Sequence, residues 1–102
     1  MMSPTAELIQ LLHPDPKKAA PRISLKKYEA VRAAILKAVS RQDEGILYRD
    51  LDAEVARLLS PDTLENLGSV SWYTISVKLD LEARGMIERI PGTRFQRIRL
   101  VR

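Results

Sequence analysis

The sequence has no cysteine among its 102 residues, so neither disulfide bonds nor thiolate metal sites can stabilise it. Its single histidine, His13, lies in a segment with two prolines, and its four glycines form no phosphate-binding loop. Side-chain catalysis usually needs a nucleophile beside a base, a pair of carboxylates in a cleft, or a metal ion. Asp50, Asp52 and Glu54 are better explained as the solvated start of a helix. We therefore expect no enzyme activity, no metal, no cofactor and no small-molecule substrate.

Long apolar runs are also missing from the sequence. Even the longest apolar stretches are short runs such as residues 33–36, whereas a helix that crosses a bilayer needs about 18 apolar residues. The N-terminus lacks the basic and then apolar order of a signal peptide. We therefore expect a cytoplasmic protein that does not bind membranes. With 45% hydrophobic and 29% charged residues, a chain of this length is expected to form one small domain around one core.

Acidic residues are scarce in the C-terminal part of the chain, which makes the charge distribution uneven. The formal net charge is +4, yet residues 43–66 carry an excess of five negative charges. From residue 84 to the end, Glu88 is the only acid. The arginines of that region are Arg84, Arg89, Arg94, Arg97, Arg99 and Arg102. A basic surface of this kind favours contact with polyanions.

The N-terminal segment is set apart by Pro14 and Pro16, which remove backbone donors and disfavour helix in the residues before them. Residues 4–12 are predicted to form a short helix, because their apolar residues give it a strongly apolar side. These residues are Leu8, Ile9, Leu11 and Leu12. We therefore divide the chain into an N-terminal helix with a proline-rich linker, over residues 1–23, and a domain over residues 24–102.

Helical spacing of apolar residues predicts three main helices in that domain, over residues 25–41, 48–59 and about 70–84. Ser24 precedes the first helix, and Ser69 or Ser71 precedes the third, as capping residues that accept from orphan backbone amides. A further helix of one or two turns is expected at residue 61, with Ser60 as its cap and Pro61 at its first position. Gly85 follows the third helix and can adopt the left-handed conformation that ends it.

Three short strands complete the predicted pattern. Ile46 and Leu47 suit a brief strand, and residues 86–90 and 95–101 flank Pro91 and Gly92, a pair that suits a type II turn. The predicted fold class is therefore α+β and mainly α. The predicted order is a short N-terminal helix, then helix, short strand, helix, helix and hairpin.

That order, together with Leu-Glu-Ala-Arg-Gly-Met-Ile-Glu-Arg at residues 81–89, resembles winged-helix proteins over residues 24–102. The resemblance implies a three-helix core with a short strand and a two-stranded C-terminal wing. It also implies that the third helix lies in the major groove of DNA and that the wing reaches phosphates. A narrower resemblance is to a family of small bacterial proteins of unknown function. Residues 12–16, 24–36, 71–73 and 77–85 carry that narrower resemblance.

The third helix is apolar on two sides. The predicted core side consists of Val70, Tyr73, Val77 and Leu81. The nearly opposite side carries Trp72, Ile75 and Leu79, where winged-helix proteins contact bases. A helix that is apolar on two sides is normally buried on two sides. We therefore expect a cover, either a second copy in a homodimer, which we prefer, or the N-terminal segment through Leu8 and Leu12. Alternatively, the helix is rotated differently and its tryptophan belongs to the core.

The arginines of the hairpin are the candidate phosphate contacts. They are Arg94, Arg97 and Arg99, with Arg89 on the paired strand. On the third helix, Thr74 and Lys78 are the candidate contacts in the groove. Basic residues between positions 17 and 27 add a second basic area. The alternative is that the strand arginines form a solvated face that protects a sheet edge.

Two functions are therefore considered. The leading prediction is a small non-enzymatic protein that binds double-stranded DNA in the manner of a transcription regulator. The alternative is a winged-helix domain that binds another protein through Trp72, Ile75 and Leu79 and does not bind nucleic acid.

Overall fold

The computed structural model describes residues 7–41 and 44–101, which form an α+β fold that is about half helical. The helices are α1 (Leu25–Ser40), α2 (Tyr48–Leu58), α3 (Pro61–Leu67) and α4 (Val70–Ala83). The strands are β1 (Leu8–Gln10), β2 (Arg22–Ser24), β3 (Ile46–Leu47), β4 (Ile87–Arg89) and β5 (Arg97–Leu100). The three main helices, the short helix between the second and the third, the short strand after the first helix and the two C-terminal strands are confirmed within a few residues at each end.

Serine side chains set the starts of three helices. The hydroxyls of Ser24, Ser60 and Ser69 accept from backbone N–H groups three residues later, at the first turns of α1, α3 and α4. Each bond satisfies an amide that has no partner inside its helix. The predicted caps of the first helix and the short helix are confirmed, and Ser69 is the cap of α4.

Gly85 ends α4 and turns the chain into the sheet. Its φ of +75° lies in the left-handed region, as predicted. The N–H of Met86 donates to the carbonyl of Leu81 at 3.0 Å, and that of Gly85 donates to the carbonyl of Glu82 at 3.0 Å. This pair of bonds is a Schellman motif, which gives the last carbonyls of the helix their partners. Strand β4 begins two residues after the glycine.

Two small antiparallel sheets are present in the described ranges. Strand β1 pairs with β2, and a three-stranded sheet has the order β3, β5, β4. In the larger sheet, Ile98 lies opposite Ile46 on one side and Arg89 on the other. The core between this sheet and helices α1, α2 and α4 contains Val31, Ile35, Val39, Leu51, Val55, Val77, Leu81, Ile87 and Ile98.

The N-terminal segment forms a strand, so the predicted helix over residues 4–12 is wrong in its described part. Positions 4–6 lie outside the described residues. The N–H of Leu11 donates to the carbonyl of Pro21 at 3.0 Å, which continues the pairing of β1 with β2. A short apolar run fits a strand as well as a helix, and here residues 22–24 provide the partner that its backbone needs. Leu11 and Ile23 are buried in the same core as the helices.

Candidate functional site

Helix α4 has one buried side and one exposed apolar side. Val77 and Leu81 of the predicted core side are fully buried, as are Thr74 and Asp80. On the opposite side, Trp72 is 43% exposed and Ile75 is 42% exposed, and Leu79 beside them is half-buried. We call Trp72, Ile75 and Leu79 the α4 face. The alternative that the tryptophan belongs to the core is therefore wrong.

Thr74 and Lys78, our candidates for contacts in a DNA groove, do not face solvent, and that prediction is corrected. The Lys78 side chain is only 2% exposed. Its Nζ lies 2.9 Å from Glu82 Oε1, donates to Gln96 Oε1 at 3.1 Å, and stands 4.7 Å from the centroid of the Tyr48 ring. Burial lowers the pKa of Lys78, and the pair with Glu82 opposes that effect. This lysine ties α4 to α2 and to the β4–β5 loop.

Asp80 is fully buried and holds the N-terminal segment on the flank of α4. Its Oδ1 accepts from the N–H of Leu12 at 2.8 Å. Its Oδ2 accepts from the hydroxyl of Tyr28 at 2.7 Å and from Nε of Arg84 at 2.8 Å. Burial and then the bond to Asp80 raise the pKa of Tyr28, and the bond to Asp80 raises that of Arg84. The sequence analysis assigned no role to Asp80.

The described part of the N-terminal segment does not cover the α4 face, so that form of the cover hypothesis is corrected. Contact through Asp80 places the segment on one flank of the helix, and Trp72 and Ile75 stay exposed. Leu8 and Leu12, which we expected at a partner surface, are themselves exposed. Only Leu11 of this run is fully buried. The segment therefore adds apolar surface beside α4 instead of hiding the surface of the helix.

The strand arginines do not share one face as we expected. Register places Arg99 opposite Glu88, and Arg99 Nε donates to Glu88 Oε2 at 2.7 Å. Arg89 alternates to the other side of β4, where its Nε lies 3.4 Å from Glu82 Oε2 of α4. Arg97 is on the same side of β5 as Arg99, and its Nη1 donates to the carbonyl of Gly45 at 3.1 Å. The predicted donor-rich face is thus reduced to Arg97 and Arg99.

A second group of arginines lies at the loop between β4 and β5, residues 90–96. The guanidinium carbon of Arg49, from the first turn of α2, stands 5.0 Å from the centroid of the Phe95 ring. That of Arg94 stands 5.4 Å from the same centroid. Phe95 is 50% exposed. Neither guanidinium has a carboxylate partner within the portion of the chain that the structure covers. We call these three residues the Arg–Phe–Arg cluster.

Arg94 was predicted to contact phosphate, whereas Arg49, which lies in the acidic stretch of the sequence, was missed. Phe95 was predicted as part of the last strand, yet β5 begins two residues later and leaves its ring in the loop. The single phenylalanine of the sequence directly follows Arg94, and this was the signal that could have pointed to the cluster. An arginine is weakly hydrated and stacks on aromatic rings, so contact with the ring restrains both guanidinium groups beside it.

Two further properties bear on the chemistry of the site. Among residues 7–41 and 44–101, no group of three or more His, Cys, Asp or Glu side chains is arranged to hold a metal ion. No helix within these ranges is long and apolar enough to span a bilayer. The surface features that stand out are therefore the α4 face and the Arg–Phe–Arg cluster, one apolar and the other cationic.

The chain belongs to a family of unknown function, DUF6958, whose model matches residues 8–98. Comparison with curated proteins and with solved structures gives no match. The matched range includes both β1 and the main part of the fold.

Proposed function

We propose that this DUF6958 chain is a winged-helix domain that binds duplex DNA through its phosphates, with the β4–β5 hairpin as the wing. The order α1, β3, α2, α4, β4, β5 and the sheet order β3, β5, β4 support that fold. Helix α3 is an addition between the second and third main helices. In this assignment α4 takes the place of the recognition helix, and the hairpin follows it directly.

The Arg–Phe–Arg cluster is the observation that carries the proposal. A guanidinium group presents several N–H donors in a planar fork that fits phosphate oxygens. Two such groups on one half-exposed ring offer donors from α2 and from the wing to the same stretch of backbone. Because the ring limits the freedom of both side chains, less conformational entropy is lost when a phosphate binds.

Arg97 and Arg99 extend this cationic surface along the outer side of the sheet. Arg99 is paired with Glu88, but both side chains are almost half exposed, at 44% and 42%. Exposed pairs of this kind contribute only about 0–1 kcal/mol, so a phosphate can compete for the guanidinium group. Arg97 uses one donor on the carbonyl of Gly45 and keeps others. Both residues therefore stay in the proposed site.

Base readout is not part of the proposal. Base edges are recognised by side chains such as arginine, lysine, asparagine and glutamine. The α4 face instead presents Trp72, Ile75 and Leu79, and the lysine that we expected there is buried. Contacts to phosphates fix position on DNA but carry no sequence information. We therefore expect affinity that depends strongly on salt and weakly on sequence.

The test compares an Arg49→Ala/Arg94→Ala variant with the natural protein, using fluorescence anisotropy of a short labelled duplex between about 50 and 200 mM salt. For the natural protein, the logarithm of the binding constant is expected to fall linearly with the logarithm of salt concentration. Each phosphate contact contributes about 0.9 to that slope, so the variant should lose about 2 from it. Its affinity at low salt should fall at least roughly 10-fold, since two charge-assisted contacts are removed.

The control is Arg57→Ala, which removes one positive charge where the double variant removes two. Arg57 lies on the same helix as Arg49 and pairs with Glu54. Its affinity and its salt slope should stay close to those of the natural protein. The proposal is wrong if the natural protein does not bind duplex DNA at low salt, or if the double variant keeps the slope of the control.

A further inference from the structure

The residues of the α4 face are spaced so that the face can pack against a second copy of itself. Trp72 and Leu79 are seven residues apart, which is about 10 Å along a helix, and Ile75 lies between them. In an antiparallel pair centred near Ile75, the large ring of one copy meets the smaller Leu79 of the other. A two-fold contact of this kind uses the same residues on both sides.

Charge along one flank of α4 favours the antiparallel orientation. At the N-terminal end, Asp52 accepts from the hydroxyl of Ser71 at 2.7 Å and is half-buried. At the C-terminal end, Arg89 reaches Glu82, and its side chain is 58% exposed. A two-fold axis across the helix places the acidic end of each copy beside the basic end of the other. The contact would then have two equivalent pairs of Asp52 with Arg89.

The other flank adds apolar surface to the same contact. Leu12 is exposed, and its backbone lies against Asp80 near the C-terminal end of α4. In the antiparallel arrangement it comes close to Tyr73 of the second copy, which is half-buried beside Trp72. Arg84, on this flank, is already neutralised by Asp80 at 2.8 Å. Both flanks are therefore compatible with a second copy.

We propose that the α4 face is a homodimer interface, in which two α4 helices pack antiparallel and Asp52 of each chain meets Arg89 of the other. A helix of 14 residues is about 21 Å long and about 10 Å wide. The contact area that one face of such a helix offers is smaller than the roughly 800 Å² per partner of standard interfaces. The dimer is accordingly weak and forms with rising protein concentration. This inference does not depend on DNA binding, because it uses a different surface.

Sedimentation velocity over a range of protein concentrations tests the interface. Ile75→Asp places a charge at the centre of the contact and should raise the dimer dissociation constant at least roughly 30-fold. Leu8→Asp is the matched control, since it makes a similar apolar-to-acid change at an exposed site on β1. Circular dichroism establishes that both variants are folded. The proposal is overturned if the natural protein stays monomeric at all concentrations. It is also overturned if the two folded variants dimerise equally well.

A charge exchange tests the orientation of the helices. Asp52→Arg and Arg89→Asp should each weaken the dimer, because each brings like charges together across the two-fold axis. The Asp52→Arg/Arg89→Asp double variant restores opposite charges and should regain most of the affinity. If the double variant is no tighter than the weaker single variant, the antiparallel arrangement is wrong.

Discussion

Replacing Asp80 with alanine is expected to lower the free energy of unfolding by about 3 kcal/mol, a large part of the roughly 5–15 kcal/mol typical of such domains. The change removes the acceptor of the Tyr28 hydroxyl and of the Leu12 N–H. A buried donor left without a partner, here the Tyr28 hydroxyl, costs about 1–3 kcal/mol, and the partly buried Leu12 N–H adds less. Arg84 adds less, because its side chain is one-third exposed and can turn to water. The N-terminal segment should also lose its attachment to α4.

Urea unfolding followed by tryptophan fluorescence measures the loss of stability, and amide hydrogen exchange at Leu12 reports the attachment. Tyr28→Phe is the comparison, because it removes one hydrogen bond and leaves the carboxylate with two partners. It should cost about 1 kcal/mol and leave the Leu12 amide protected. An Asp80→Ala variant that is as stable as Tyr28→Phe and equally protected at Leu12 would contradict the role that we assign to the carboxylate.

Replacing Gly45 with alanine is expected to lower the free energy of unfolding by a similar amount, about 3 kcal/mol. The φ of Gly45 is +83°, a conformation that costs other residues about 1–2 kcal/mol. The added Cβ would also stand 2.7 Å from the carbonyl oxygen of Ile98 and 2.8 Å from Cδ1 of Ile90. Overpacking of this kind adds about 1–3 kcal/mol. The sequence analysis did not predict the close approach of β5 to this glycine.

Gly85→Ala separates the two parts of that cost. Gly85 has a similar φ of +75°, but a Cβ there would have no atom within 4 Å outside its neighbours. The Gly85→Ala variant should lose only the conformational part of the stability. The melting temperature of Gly45→Ala should therefore lie well below that of Gly85→Ala. For a domain of this size, 1 kcal/mol corresponds to about 4–8 °C in the melting temperature. Equal melting temperatures would show that the strand β5 does not crowd Gly45.

Local signals made most of the fold predictable from the sequence. Serine caps and a terminal glycine mark the helix ends, and apolar spacing separates the buried side of α1 from its solvated side. These are interactions within a few residues, so they leave a clear pattern in the sequence. The same reasoning identified α4 as apolar on two sides, and Trp72 and Ile75 are exposed on the second side.

Features that depend on distant partners could not be predicted in this way. The run from Leu8 to Leu12 is a strand because residues 22–24 pair with it, and nothing within the run indicates that partner. Lys78 was predicted to contact DNA in the groove, but Tyr48, Glu82 and Gln96 surround its ammonium group from three elements. Burial of a charged side chain requires such partners. Glu82 is only four residues from Lys78, but Tyr48 and Gln96 are far from it in the sequence.

The candidate site also contains residues that the sequence alone predicts and residues that only the packing of the fold reveals. Arg94, Arg97 and Arg99 were found from the density of arginine near the C-terminus, which is a property of sequence alone. Arg49 was missed, because its approach to Phe95 depends on how α2 lies beside the β4–β5 loop. Arg89 was grouped with Arg97 and Arg99, but the register pairs Arg89 with Ile98, so its side chain lies on the other side of the sheet. That register depends on how the strands pair and is not visible in the local sequence pattern.

Titration of a short DNA duplex into isotope-labelled protein, followed by the backbone amide signals in NMR spectra, tests the central claim most directly. That claim assigns DNA contact to the wing and leaves α4 for protein contact. We predict that the largest shifts occur at Arg49 and at residues 90–99, and that they shrink as salt is raised. Shifts concentrated on residues 71–79 of α4, with the wing unchanged, would contradict the account.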